Sequence, residues 1–322
     1  MKKFLVITID VEPDCSPNWH YSDPLRFDGV SKGIGKLLQP LFNEYGFVPT
    51  YLINNVVLED QRSVDVLRQL SGKFELGTHL HPEFITPQKK YDNYAGKKAV
   101  ANCCFYPPEI EYEKIKNVSQ LFENNFGYKP LSFRAGRYSA GSNTIKSLAR
   151  LGYRVDTSVT PHISWSDKTR ERPVDCLDAP EQPYLIDEEN ITKENINGNL
   201  LQVPISISLK NRNFFKEILV SGGGLRHRIR KHKAFWLRPY YSTTPQLISI
   251  GKQFLSAYQD REAVVLNMMF HNVEVLPGLS PYTISENDCK KYLNQLRDFF
   301  GFCRQENIQG TALSDLYNVF KK

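Results

Sequence analysis

Short apolar runs that end in polar, chemically active residues recur along this chain of 322 residues. The first run ends at Asp10, and comparable runs precede His79, Arg134 and His271. Between them lie stretches such as 30–45, in which apolar residues recur every three or four positions, as they do on one face of a helix. Strands that alternate with helices over short connections predict a parallel sheet wound by helices, either open or closed as a barrel. In such folds the active site lies at the carboxyl ends of the strands.

Hydrophobic residues make up 41% of the sequence, which is enough for the core of one α/β domain over 1–322. The helix over 30–45 is predicted to kink or break at Pro40 and to stop at Gly46. Residues 160–260 are polar and proline-bearing, and we expect them to form irregular insertions over the active site rather than a second domain. Strands are predicted over 4–10, 48–53, 74–78, 131–134, 153–156, 200–208, 264–270 and 310–313, and helices over 30–45, 62–71, 114–125, 143–151 and 287–303.

The apolar runs and the cysteines predict a soluble, cytoplasmic chain. The first apolar run is too short for a signal peptide and an acid interrupts it, and the run over 263–270 is far below the length of a membrane span. The six cysteines include no CxxC pair, and Cys103 and Cys104 are adjacent, which is an awkward geometry for a disulfide. We expect reduced thiols.

The net charge of +6 is concentrated in one segment. Between Gly222 and Tyr240 there are six basic residues and no acid, so the rest of the chain sums to zero. The basic run 226–233 is either a solvated face or a contact for phosphates of a nucleotide sugar, a lipid pyrophosphate carrier or a membrane surface. Nucleic acid is not expected as a partner, because no recognised binding motif accompanies the run. The six residues are Arg226, Arg228, Arg230, Lys231, Lys233 and Arg238.

Two pairs of side chains are spaced two residues apart at predicted strand ends. Residues i and i+2 of an extended segment point the same way, so Asp10 and Glu12 can converge on one point, where one binds a metal and the other holds a proton. His79 and His81 can likewise coordinate one metal ion. The alternatives are turn or helix-capping acids and surface or hydrogen-bonded histidines. Glu83 is a further ligand or an acceptor for a ligand histidine.

Three further polar positions follow strand-like runs. Arg134 and Arg137 are three residues apart, and an arginine beside a catalytic carboxylate lowers its pKa and fixes its orientation. The alternative is a structural ion pair. Asp156 is equally compatible with a turn. His271 ends a buried run, which suits a general acid, although a hydrogen-bonded core histidine has the same pattern.

Taken in order, these motifs resemble those of the polysaccharide deacetylase family, the NodB-like esterases of carbohydrate esterase family 4. The resemblance covers residues 4–160 and 263–317. It implies a distorted (β/α)7-type barrel and a divalent metal, often zinc, with nickel, cobalt or manganese as alternatives. It also implies removal of acetyl groups from N-acetylated sugars. The matching stretches are Thr8-Ile9-Asp10-Val11, His79-Leu80-His81-Pro82-Glu83, Phe133-Arg134, Asp156-Thr157-Ser158-Val159 and Phe270-His271.

The resemblance assigns catalytic roles residue by residue. Asp10 takes the place of the general base, Arg134 that of the arginine that orients it, and His271 that of the general acid. Val11 stands where the family usually has a metal-binding aspartate. A D-x-D/E variant of that motif makes Glu12 the carboxylate ligand.

The second family motif assigns the imidazole ligands. His79 matches its first histidine, and Glu83 stands at the position of its second, so His81 is the substitute imidazole. We further expect a substrate-binding group that consists of Glu83, Arg137, Tyr138, Asp156, Trp236 and Arg238.

The expected function is metal-dependent deacetylation of an N-acylated sugar in the synthesis of surface polysaccharide, such as O-antigen of lipopolysaccharide or capsule. The stretch 269–282 is similar to an uncharacterised bacterial surface-polysaccharide branch of the family. Two other classes remain open. One is a non-catalytic glycan-binding relative that has lost the metal. The other is a phosphatase with Asp10 as nucleophile, which leaves the histidines unexplained.

Overall fold

A curved sheet of mainly parallel strands organises the fold. The computed structural model describes residues 1–89, 101–165, 174–209 and 234–321. In chain order the strands are β1 (Lys2–Val11), β2 (Pro49–Asn54), β3 (Glu75–Leu80), β4 (Ser132–Ala135), β5 (Val155–Asp156), β6 (Tyr184–Asp187), β7 (Asn190–Glu194), β8 (Leu201–Gln202), β9 (Ile207–Leu209), β10 (Ala234–Trp236), β11 (Ala263–His271) and β12 (Gln309–Gly310).

Eight strands of the described chain pair in parallel, seven of them in the order β11–β1–β2–β3–β4–β5–β8 and the eighth, β12, on β1. From the β8 edge, β6 and β7 continue the sheet in antiparallel fashion, and β12 pairs with β1. The segment after β8 also meets β11, because the Ser206 N–H donates to the Asn267 carbonyl at 3.0 Å. The Asn267 amide donates to the Val203 carbonyl at 3.0 Å. The array is therefore a curled, distorted barrel, and the predicted (β/α)7-type fold is confirmed.

The helices lie between the parallel strands, as predicted. The helix predicted over 30–45 has no break at Pro40, because Leu38 and Gln39 keep helical backbone angles and the π-type turns over Gly29–Leu38 continue directly into α turns. Pro40 lies in the first turn of the α-helical part, where its missing N–H is tolerated. This helix ends at Gly46, whose φ of 72° favours glycine. The π- and α-helical segments of the described residues are a π-helical segment (Gly29–Leu38), α1 (Gln39–Tyr45), α2 (Asn55–Leu58), α3 (Gln61–Arg68), α4 (Pro108–Phe126), α5 (Ser142–Leu151), α6 (Thr244–Ala257), α7 (Glu286–Gln305) and α8 (Tyr317–Phe320). Short 3-10 helices lie at Pro82–Phe84, Cys103–Phe105, Gly136–Tyr138, Asn272–Val275 and Ser314–Leu316.

Strand β1 explains how the chemistry comes to lie inside the barrel. Successive side chains of a strand point to opposite faces. On the inner face, Phe4 and Val6 fill the lower interior in an apolar cluster. The same face continues through Thr8 to Asp10 at the carboxyl end, and both are buried. On the outer face, four β1 residues join the large core under the helices, namely Leu5, Ile7, Ile9 and Val11.

The segment 160–260 is more regular than the sequence suggested. It contributes the parallel strand β8, the hairpin of β6 and β7, and the helix α6. The predicted strand over 200–208 is split into β8 and β9, with Pro204 in the gap, because proline cannot donate to a strand ladder. The basic run 226–233 lies outside the described residues.

None of the helices in the described residues combines the length and the apolar character that a membrane span requires. All six cysteines have free thiols, and five of them are buried, as the sequence predicted.

Candidate metal and catalytic site

Glu12, His79 and His81 bring one ligand atom each to a common point at the carboxyl ends of β1 and β3. Glu12 Oε1 lies 3.1 Å from His79 Nε2 and 3.0 Å from His81 Nε2, and the two nitrogens are 3.0 Å apart. All three side chains are buried. Ligands about 2 Å from a tetrahedral ion lie roughly 3.3 Å from one another, so this donor set fits a divalent metal. Tyr21 donates its hydroxyl to the other Glu12 oxygen at 3.2 Å.

The second ring nitrogen of each histidine has its own partner. His79 Nδ1 lies 3.1 Å from the Arg134 carbonyl, which can only accept, so Nδ1 carries the proton and Nε2 is directed at Glu12. His81 Nδ1 lies 3.6 Å from Glu83 Oε1, and Glu83 is held by Arg137 Nη2 at 2.8 Å. Glu83 thus lies behind His81 as a partner of that imidazole rather than on the cavity wall.

Asp10 is paired with a fully buried arginine. Arg134 Nη1 lies 2.6 Å from Asp10 Oδ1, and Arg134 also donates to the Thr8 hydroxyl and the Thr157 carbonyl. Burial raises the pKa of the Asp10 carboxyl, but the guanidinium and two nearby imidazoles outweigh it and hold this pKa below its usual value. The free oxygen, Oδ2, lies 3.9 Å from Nε2 of both His79 and His271. An ionised carboxylate oxygen therefore faces the space between the two imidazoles.

His271 is oriented by a buried glutamate three residues later. Its Nδ1 lies 2.7 Å from Glu274 Oε1, and its backbone N–H donates to the same oxygen at 3.1 Å. Glu274 also accepts from Arg238 and, at 2.8 Å, from the Tyr292 hydroxyl. Burial raises the pKa of Glu274, but Arg238 and His271 lower it further than burial raises it. The imidazole thus presents Nε2 to the cavity with Nδ1 bound to an ionised acceptor.

These groups open into one cavity of about 330 Å³. Aromatic rings form part of its lining. Tyr138 stacks on Trp165 with ring centroids 5.6 Å apart, and Trp19 packs on His271 with centroids 5.0 Å apart. The lining residues are Asp10, Glu12, Trp19, Tyr21, His79, His81, Ala135, Arg137, Tyr138, Trp165, Arg238, His271 and Tyr282.

Two consecutive residues of the turn after β4 adopt a left-handed backbone conformation. Arg137 has φ 55° and Tyr138 has φ 53°. Such conformations are costly for residues other than glycine and cluster at functional sites. Here the turn places both side chains on the cavity wall beside His81.

The structure brings most of the predicted site residues together. Five of the six predicted catalytic and metal-binding side chains line the cavity, and the sixth, Arg134, lies behind Asp10. Arg137, Tyr138 and Arg238 also line it. Asp156 does not line it, because it is fully buried and both of its carboxylate oxygens accept from Ser158. Burial raises its pKa to about 6. Trp236 does not line the cavity either. It packs against Tyr138, with the two ring centroids 5.8 Å apart.

Sequence reasoning did not single out several residues of the cavity. Trp19 and Tyr21 lie in the segment after β1, where no periodic pattern marked them. Trp165 and Tyr282 come from other segments, and no sequence pattern marks them either. A pattern does mark Glu274, because it follows His271 by three residues, the spacing at which a short helical turn brings two side chains together.

No family model and no curated protein matches this sequence. Solved structures do match its fold. A polysaccharide deacetylase structure from Mycobacterium smegmatis is 15% identical with a TM-score of 0.56, over 100% of this chain and 91% of that one. One from Pseudomonas aeruginosa is 12% identical with a TM-score of 0.53, over 98% and 89%. A GH57 branching enzyme from the archaeon Pyrococcus horikoshii is 10% identical with a TM-score of 0.55, over 100% and 71%.

These likenesses establish the fold, and the predicted similarity to the fold of polysaccharide deacetylases is confirmed. A branching enzyme shares the same architecture, so the chemistry of this chain has to be argued from its own residues.

Proposed function

We propose that this protein is a metal-dependent hydrolase that removes the acyl group from an N-acylated sugar. One observation carries the proposal. A buried carboxylate–histidine–histidine set lies beside an arginine-held carboxylate and a glutamate-held imidazole in one cavity. Hydrolysis of an amide needs an activated water, a base for its proton and an acid for the leaving amine. The cavity offers a residue for each of these tasks.

Glu12, His79 and His81 would hold the metal. Two imidazoles and a carboxylate suit zinc first, with nickel, cobalt and manganese as alternatives. When bound, the ion supplies a Lewis acid that polarises the acyl carbonyl and lowers the pKa of its water. Tyr21 donates its hydroxyl to the second oxygen of Glu12 and would hold the carboxylate in its orientation toward the ion.

Asp10 is the base in this scheme. Its ionised state is maintained by Arg134, so Oδ2 is ready to accept a proton from a water placed between it and the imidazoles. Arg134 has no contact with the cavity in the described structure and acts through Asp10, by fixing Oδ1.

His271 is the acid. With Nδ1 bound to Glu274, the proton on Nε2 is the one available to the amine nitrogen that leaves when the C–N bond breaks. The buried negative charge of Glu274 stabilises the protonated imidazole before this transfer. Arg238 in turn keeps Glu274 ionised.

We further propose that the acylated sugar belongs to a surface polysaccharide of the O-antigen or capsule type, handled in the cytoplasm. The charge pattern supports a phosphate-bearing form of the substrate, because the basic run 226–233 is separated from the cavity residue Arg238 by only four residues. A nucleotide or a lipid pyrophosphate would supply that phosphate. Contact of the run with an anionic membrane surface is the related proposal.

Elemental analysis of wild-type protein beside His79→Ala tests the metal. About one transition metal per chain, lost in the variant, supports the proposal, and release of acetate from N-acetylated sugars by the wild type then tests the reaction. No metal after soaking with zinc, nickel or cobalt would overturn the hydrolase and leave the glycan-binding relative. Incorporation of phosphate at Asp10 with magnesium would instead indicate the phosphatase.

A further inference from the structure

Two tyrosines at the mouth of the catalytic cavity are unusually exposed for aromatic side chains. Tyr240 exposes 48% of its surface and Tyr241 exposes 44%. Both pack against Tyr282, which lines the cavity. We name these three side chains the tyrosine platform. Exposed apolar surface that is continuous with a binding cavity marks an interaction site more often than a chance exposure does.

The rings of the platform hold one another in place. Tyr240 stacks on Tyr282 with centroids 4.0 Å apart and planes inclined by 28°. Tyr241 meets Tyr282 edge-on, and their hydroxyls are 2.9 Å apart. The guanidinium carbon of Arg238 lies 4.7 Å from the Tyr241 centroid and 4.9 Å from the Tyr282 centroid. A surface fixed in this way loses little conformational entropy when a ligand settles on it.

A row of rings joins the platform to the reacting groups. Tyr282 lies 5.3 Å from Trp19, and Trp19 lies 5.0 Å from His271, measured between ring centroids. The row therefore runs from the proposed acid at the centre of the cavity to the exposed face of Tyr240. A ligand whose reacting group is at His271 and which extends outward along this row meets the platform next.

The chemistry of the platform favours a sugar ring as the occupant. Tyrosine offers an apolar face together with a polar hydroxyl, which matches the apolar face and hydroxyl rim of a pyranose. A nucleobase also stacks on aromatic rings, but in a nucleotide sugar a pyrophosphate separates the base from the sugar. The two arginines of the cavity wall, Arg137 and Arg238, already face the buried glutamates Glu83 and Glu274. They are therefore poorly placed to neutralise a pyrophosphate within the row.

We propose that the tyrosine platform binds the sugar unit next to the one that is hydrolysed, so that the substrate is a glycan of at least two units. This inference rests on the proposed function for the identity of the reacting unit. Stacking on an aromatic ring contributes about 1 kcal/mol, which corresponds to roughly a five-fold change in affinity. The platform should therefore act on binding of longer substrates and leave the chemical step unchanged.

Deacetylation kinetics of the metal-loaded protein test the platform. The probes are N-acetylglucosamine, its β-1,4-linked dimer and trimer, and the uridine-diphosphate-linked monomer. In the wild type we expect the KM of the dimer to be about five-fold below that of the monomer. Tyr240→Ala should abolish this advantage without changing kcat or the monomer KM. Tyr240→Phe should retain it, and Tyr128→Ala, which removes a tyrosine of 49% exposure elsewhere, should have no effect.

Several outcomes would contradict the proposed role of the tyrosine platform. One is equal KM values for monomer and dimer in the wild type, and another is an equal rise in both KM values in Tyr240→Ala. A Tyr240-dependent gain for the uridine-linked monomer alone would assign the platform to a nucleobase. If no probe is hydrolysed, the proposed function fails, and intrinsic tryptophan fluorescence, to which the cavity residues Trp19 and Trp165 contribute, measures binding of the same probes directly. An affinity that rises with glycan length and depends on Tyr240 then supports the proposed role of the platform. Absence of binding by every probe contradicts that role.

Discussion

Arg134 Nη1 and Asp10 Oδ1 are 2.6 Å apart inside the barrel, where the arginine is fully buried and the aspartate is 3% exposed. The pair comes from β4 and β1, two strands that are not neighbours in the sheet. It spans the barrel interior, because both side chains project inward at the carboxyl ends of their strands. A pair of this kind positions the base and also carries a large electrostatic cost if one partner is lost.

Replacement of Arg134 by methionine should therefore lower both activity and stability. Without the guanidinium, burial raises the pKa of Asp10, and the base loses its fixed orientation. We expect kcat to fall at least 100-fold and the free energy of unfolding to fall by about 3–5 kcal/mol. Steady-state kinetics and urea unfolding measure the two effects. Arg137→Met, which removes a guanidinium from the cavity wall but not from Asp10, is the control, and an equal loss in both variants would contradict the assignment.

The contact between Glu274 and His271 predicts a loss of activity when the carboxylate is removed. In Glu274→Gln a neutral amide replaces the ionised acceptor at Nδ1, so the ring is oriented less firmly and the charge it carries as the acid loses its counter-charge. We expect kcat to fall about 10- to 100-fold, measured by steady-state kinetics. Tyr292→Phe keeps the carboxylate and removes only the hydroxyl that contacts it at 2.8 Å, so its kcat should change little. An equal kcat in Glu274→Gln and the wild type would rule out this role.

The part of the site that could be predicted from sequence is the part that regular strands carry. The two-residue period of a strand fixes which side chains share a face, and Asp10, Glu12, His79 and His81 lie close together in the structure. The register of the sheet brings residues of neighbouring strands together, since His79 lies opposite Arg134 and Asp10 lies opposite His271.

Other contacts depend on how irregular segments fold back, which no local period specifies. Trp19 reaches His271 from a loop, and Arg238 reaches Glu274 from a segment distant in sequence. Helix α4 begins at Pro108, six residues before the predicted start at 114, for a related reason. Pro108 and Glu109 begin that helix through first-turn preferences and not through apolar periodicity.

The buried carboxyl of Glu111 predicts that stability falls as pH rises from about 4.5 to 7. It is buried, one of its oxygens accepts from Thr144, and the other has no partner among the described residues. Burial raises its pKa to about 7. The folded state therefore holds this proton more tightly than the unfolded state, so stability should decline as pH rises from about 4.5 through 7 and stay low above it. The contribution is about 3 kcal/mol. In Glu111→Gln that part of the pH dependence should vanish in urea unfolding, whereas Glu113→Gln, at an exposed site, should keep it.

Lys114 predicts a coupling between a buried ammonium and the segment that follows the metal ligand His81. Its Nζ donates to the carbonyls of Pro82 and Ile85, each at 2.7 Å, and to that of Pro87, and the side chain is fully buried. An ammonium that satisfies three carbonyls fixes the backbone of this segment, which also carries Glu83, the partner of His81.

Lys114→Met fills similar volume but leaves those carbonyls without a donor, and each buried unsatisfied group costs about 1–3 kcal/mol. We expect weaker metal binding by about ten-fold, measured by competition with a chelator, together with a lower urea midpoint. Lys116→Met removes an exposed lysine two residues later and should change neither quantity. A lower urea midpoint with unaltered metal affinity would mean that Lys114 supports the fold without positioning His81.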